Sequence, residues 1–78
     1  MNEYPIEHLI ELKKLSPYLV GRVIIYQNRD VYDSEVDIIL METGKIYKHI
    51  GQVFSESSAK DAFDMSYRKL KLSLHKGF

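Results

Sequence analysis

The sequence predicts a small α+β domain in the order α-β-β-β-α, a three-stranded antiparallel sheet packed by N- and C-terminal helices. Three observations carry that expectation. Residues 6–15 follow a helical apolar period behind Pro5, and residues 18–53 are rich in β-branched and aromatic side chains around a glycine turn. Residues 59–74 then place Ala59, Ala62, Phe63, Ser66, Tyr67, Leu70 and Leu74 on one face at 100° per residue. With 78 residues, 45 % of them hydrophobic, the chain suffices for one domain over 1–78 with little core to spare.

The first helix is expected over about 5–15. Pro5 suits a first helical turn, Ile6, Leu9, Ile10 and Lys13 recur at helical spacing, and Leu12 and Leu15 widen the stripe. Ser16-Pro17 ends it, because the residue before a proline avoids the α region. A strand follows over about 18–27, carrying Val20, Val23, Ile24, Ile25 and Tyr26. Residues 28–34 read as a polar loop or a frayed strand end.

Strands over about 35–41 and 45–53 form a hairpin. Glu42-Thr43-Gly44-Lys45 is its turn, with Gly44 free to take the positive φ of a type I turn followed by a bulge. The first arm sets Val36, Ile38 and Leu40 on one face, yet Ile39 and Met41 on the other. A strand with one wet face alternates apolar and polar, so this pattern asks for cover on both faces, from a helix of the chain or from a second molecule. The last helix is expected over about 57–76, opened by Ser58 with Asp61 as a capping box. Met65 and Leu72 lie together off its main stripe. Arg68, Lys69, Lys71, His75 and Lys76 fall late, where the helix dipole favours them.

Net charge is zero but unevenly spread along the chain: residues 1–42 hold eight acids against four bases, and residues 43–78 three acids against seven bases. Two oppositely charged faces would steer partners or self-association, unless the halves neutralise one another within the fold. The absence of cysteine excludes disulfides, thiolate nucleophiles and cysteine-held zinc. No apolar run approaches a membrane span. The opening Asn2-Glu3-Tyr4-Pro5 shows no signal-peptide pattern, so a cytoplasmic protein with no membrane association is expected.

The order α-β-β-β-α, with Pro5-Ile6 followed by Leu9 and Glu11, resembles double-stranded-RNA-binding domains in topology. That resemblance implies nucleic-acid contacts from the start of the last helix and from the loop between the first two strands. Here those places read Ser57-Ser58-Ala59-Lys60-Asp61, with one lysine where the family carries a lysine-rich turn, and Asn28-Arg29-Asp30-Val31-Tyr32-Asp33 in place of a Gly-Pro-His-type loop.

Catalytic and metal patterns are weak. His8 and Glu11 stand three apart on the expected helix, a spacing for a surface hydrogen bond, while His49 and His75 are scattered. Ser55, Ser57 and Ser58 read as helix caps without a nucleophile elbow. Asp30, Asp33, Glu35 and Asp37 lack the spacing of a calcium loop. No enzyme activity, cofactor or metal is expected; a buried, converging histidine–acid pair would reopen the catalytic reading.

What remains is an interaction protein. Six tyrosines and no tryptophan supply amphipathic contact area. The expected function is non-catalytic protein binding, as a homodimer or by docking a partner, through an apolar, tyrosine-rich sheet face. Its candidate residues are Tyr26, Tyr32, Ile39, Met41 and Tyr47, with Arg22 and Lys48 at the rim. The alternative is a nucleic-acid-binding module using Lys60, Arg68, Lys71 and His75, which fall within about 80° on the last helix. What decides between cover and binding surface is which face of the sheet the helices occupy.

Overall fold

The computed structural model describes residues 3–12 and 16–76. The order is β-β-β-β-α: β1 (Ile6–Glu11), β2 (Leu19–Asn28), β3 (Val31–Leu40), β4 (Ile46–Glu56) and α1 (Ala59–Lys76). The four strands pair antiparallel in sequence order. The expected three-stranded sheet between two helices is therefore corrected: residues 6–11 of the expected first helix form a fourth strand. Lys13 and Leu15, assigned to the same helix, lie outside the described residues. With no helix ahead of the sheet, the α-β-β-β-α order behind the resemblance to double-stranded-RNA-binding domains is lost.

The reason lies in two periods that share residues. A helical stripe runs Ile6, Leu9, Ile10, whereas a strand face runs Ile6, His8, Ile10. Leu9 decides which is built, and it is exposed on the far side of the sheet, while the His8 ring meets Phe63 of α1 edge-on at 4.9 Å. Leu12, just past β1, is in the core. Pro5, expected inside a helix, precedes the strand instead.

Residues 28–34, expected as a polar loop or a frayed strand end, hold a tight turn and the regular start of a strand. Asn28 pairs with Val31 across a two-residue turn, so β3 starts at Val31. Arg29 takes φ 59° in that turn, a conformation that glycine or asparagine adopts at lower cost. At the second hairpin Gly44 takes φ 76°, and its N–H donates to Leu40 O at 2.8 Å.

Register assigns the two sheet faces. Gly21, Val23 and Ile25 stand beside Ile10, His8 and Ile6 on one side and beside Ile38, Val36 and Ser34 on the other. This face is covered by α1, which buries Ala62, Ser66 and Leu70 at successive i, i+4 positions. Phe63 and Leu74 pack at its margins. The helix starts cleanly because Ser58 Oγ accepts from the N–H of Asp61 at 3.0 Å. Inside the interface, Ser66 donates to Ala62 O at 2.7 Å, so its oxygen is left to accept from the Ser34 hydroxyl.

The helix comes close to the sheet at Gly21. A Cβ built there would stand 2.7 Å from Leu70 Cδ2, and Leu70 is fully buried. Gly21→Ala should therefore lower stability by about 1–2 kcal/mol in urea unfolding, since the displaced methyl has nowhere to go. Leu70→Val removes the clashing methyl, so the double variant should lose clearly less than the sum of the two single losses. Strict additivity would show that the contact does not limit the packing.

Candidate functional site

The face opposite α1 is built by alternation from the same strands. Register arranges it as rows across the sheet: Glu11–Val20–Ile39–Ile46, then Leu9–Arg22–Asp37–His49, then Glu7–Ile24–Glu35–Gln52. Tyr26 and Asp33 continue it at the far end. Among the described residues no helix or strand lies over these rows. Ile39 and Val20 are each 6 % exposed within theirs, whereas Leu9 at 58 %, Ile46 at 55 % and Phe54 at 64 % stand out as apolar ground.

The middle row holds the site's electrostatics. Asp37 is fully buried, interrupting the apolar run of Val36, Ile38 and Ile39. His49 donates from Nδ1 to Asp37 Oδ1 at 2.6 Å, and Arg22 Nη2 reaches Oδ2 at 3.5 Å. Arg22 Nη1 also lies 3.9 Å from Glu7 Oε2. A carboxylate taken out of water is tolerated only when such partners replace its hydration. Arg22 is itself largely enclosed, and its Nε makes no hydrogen bond.

This is a converging histidine–acid pair of the kind that reopens the catalytic reading. Asp37 holds the His49 ring by Nδ1, the kind of pairing that orients a general base. The adjoining rows, Ile39–Ile46 and Glu35–Gln52, offer no hydroxyl or thiol to activate. With the His49 side chain half exposed on a sheet surface, the pair presents a fixed polar contact point rather than an enclosed reaction site.

The candidate interface residues are divided by the fold. Arg22, Ile39 and Tyr26 lie on the open face. Met41 is exposed just past β3, its N–H donating to Tyr18 O at 2.8 Å. Tyr32 belongs to the helix side, where it packs against the core and meets the Tyr4 ring at 5.6 Å. Lys48 pairs with Ile38, also on the helix side, and Tyr47 sits in the register shift between Lys48 and Ile46. Leu9, Ile46, Phe54 and the Arg22–Asp37–His49 row were not foreseen. The available signal was a charged residue inside an apolar strand, with His49 set back about as far on the other arm of the Gly44 hairpin.

Lys60, Arg68, Lys71 and His75 are all exposed on the outer surface of α1. Arg68, Lys71 and His75 line a shallow depression of about 530 Å³ with Asp64, Tyr67 and Leu72. Lys60 donates to Asp64 at 2.8 Å, and that hydrogen bond holds its pKa above the ordinary lysine value. Lys71 Nζ lies 5.5 Å from the centre of the Tyr67 ring.

The other candidates resolve as structure. His8 and Glu11 point to opposite faces of β1. Ser57 and Ser58 serve the helix start, and Ser55, at φ 59°, donates its N–H to Asp33 Oδ1 at 2.8 Å. Among the described residues no group of three or more histidines or acids could hold a metal ion, and no helix is long and apolar enough to cross a membrane.

The charge asymmetry along the sequence becomes an asymmetry in space. The open face carries Glu7, Glu11, Asp33, Glu35 and Asp37 against Arg22 and His49. The outer surface of α1 carries Lys60, Arg68, Lys71, His75 and Lys76 against Asp61 and Asp64, and Lys69 lies along β4 at Gly51. The chain matches no family model, no curated protein and no solved structure.

If Asp37 is the hub of the row, removing it leaves enclosed Arg22 only its 3.9 Å contact to Glu7, whereas removing half-exposed His49 leaves Asp37 its arginine. Asp37→Ala should cost about 3 kcal/mol in urea unfolding and His49→Ala no more than about 1 kcal/mol. Equal losses would contradict that hierarchy.

Proposed function

We propose that this protein is a non-catalytic protein-interaction module whose open sheet face docks a basic protein surface bearing apolar anchors. One observation carries the reading. The face opposite α1 combines more-than-half-exposed Leu9, Ile46 and Phe54 with an excess of acids, around a buried Asp37 that Arg22 and His49 already hydrogen-bond. Exposed apolar ground bordered by charge is the usual composition of an interface. The preformed Asp37–His49 pair offers a partner a fixed polar contact at little ordering cost. A two-fold homodimer through this face is less well supported, because it would set acid against acid.

A synthetic amphipathic helix of leucine and lysine is a suitable probe. Its binding should shift amide resonances of β2, β3 and β4, and Ile46→Lys should weaken it about tenfold or more. Shifts confined to α1, or an unaffected Ile46→Lys variant, would defeat the proposal.

The basic outer surface of α1 supports a second reading, nucleic-acid binding, since Arg68, Lys71 and His75 gather around one depression. In that case retention on duplex RNA would fall steeply with salt, by roughly one logarithmic unit of affinity per logarithmic unit of salt for each phosphate contact, and Arg68→Ala with Lys71→Ala would flatten the slope. No retention at low salt would eliminate this reading.

A further inference from the structure

The helix has two apolar stripes and only one is used within the fold. Ala62, Ser66 and Leu70 face the sheet of the same chain. Met65 and Leu72, seven residues apart and so nearly in line along the axis, lie on the solvent side at 36 % and 54 % exposure. Helical geometry sets Asp61 and Arg68 beside them on one flank and Lys76 on the other, while Lys69 lies along the chain's own sheet at Gly51. This stripe is apolar at its centre, with Arg68 and Lys76 outnumbering Asp61 at its edges. The open sheet face has the converse pattern: Leu9, Ile46 and Phe54 with Glu7 and Glu35 among them. A helix laid on an uncovered antiparallel sheet is also the ordinary way such a face is buried.

We infer that the occupant of the open sheet face is the outer surface of α1 from a second copy of this chain. The inference rests on reading the sheet face as a docking surface, and it names the partner. The contact is heterologous, so each copy offers one donor surface and one acceptor surface, and association continues head to tail. Met65 and Leu72 would meet Leu9 and Ile46, while Arg68 and Lys76 would meet Glu7 and Glu35. The zero net charge then arises from two complementary surfaces instead of from neutralisation within each copy.

Sedimentation of the full chain reads this directly. Average mass should climb with concentration past the dimer at low salt, and the apparent association should weaken by about tenfold or more at high salt. Two variants sharpen the test. Arg68→Glu with Leu72→Glu spoils the helix surface, and Leu9→Lys with Ile46→Lys spoils the sheet surface, all at exposed positions. Each variant alone should be monomeric. An equimolar mixture should form a 1:1 complex, because one intact surface of each kind remains.

Circular dichroism checks the fold, with Glu35→Lys held as the milder sheet variant. A wild-type monomer at every concentration, a salt-insensitive dimer unaffected by the helix variant, or a mixture that stays monomeric would each overturn the inference. In the first case, binding of the leucine–lysine peptide at the sheet would leave the docking surface itself intact and show that its partner is another protein.

Discussion

A four-stranded sheet has two faces, and the described residues supply one helix to cover them. Much of the structure follows from that shortage. On the helix side the solution is close packing, with Gly21 letting Leu70 approach the strand. On the other side no helix or strand of the described residues forms a second layer. There the interior of the face is closed by pairing charges, with Asp37 held between Arg22 and His49, and the margins are left apolar and exposed.

That charged row depends on turns far from it. Arg22, Asp37 and His49 come from three strands, and only register brings them side by side. A slip of one residue in β3 would send Asp37 into the helix interface and Ile38 out to the open face. The Arg29–Asp30 turn fixes β2 against β3, and the Gly44 turn fixes β3 against β4. A buried ion pair adds little net stability, but it penalises wrong registers heavily, so the row and the turns specify the same alignment.

The parts of the fold legible in the sequence were those with one local cause. Gly44 marked a turn because few other residues accept its φ. Ser58 and Asp61 marked a helix start, and the stripe Ala62, Ser66, Leu70 marked its buried side. Residues 6–11 misled because Ile6 and Ile10 satisfy both a helical and a strand period, and the deciding residue, Leu9, is an exposed leucine. Propensity cannot resolve that ambiguity; a neighbouring strand with free edge groups can. The site was less legible still. Asp37 and His49 were each visible as residues, yet their pairing with Arg22 is a property of three strands at once. The split of acids to one surface and bases to the other became apparent only when β1–β3 and α1 took opposite sides.

β4 has a further consequence. It is an edge strand of 11 residues carrying Ile46, Tyr47 and Phe54 exposed, a composition that invites fibrillar stacking. Its pairing with β3 shifts at three places, and Ser55 sits in left-handed backbone at one of them. Irregular spacing of that kind denies an incoming strand a continuous ladder of hydrogen-bonding groups. The bulges thus act as a barrier to lateral strand accretion, and they let the chain keep exposed apolar residues without turning its rim into a template for amyloid.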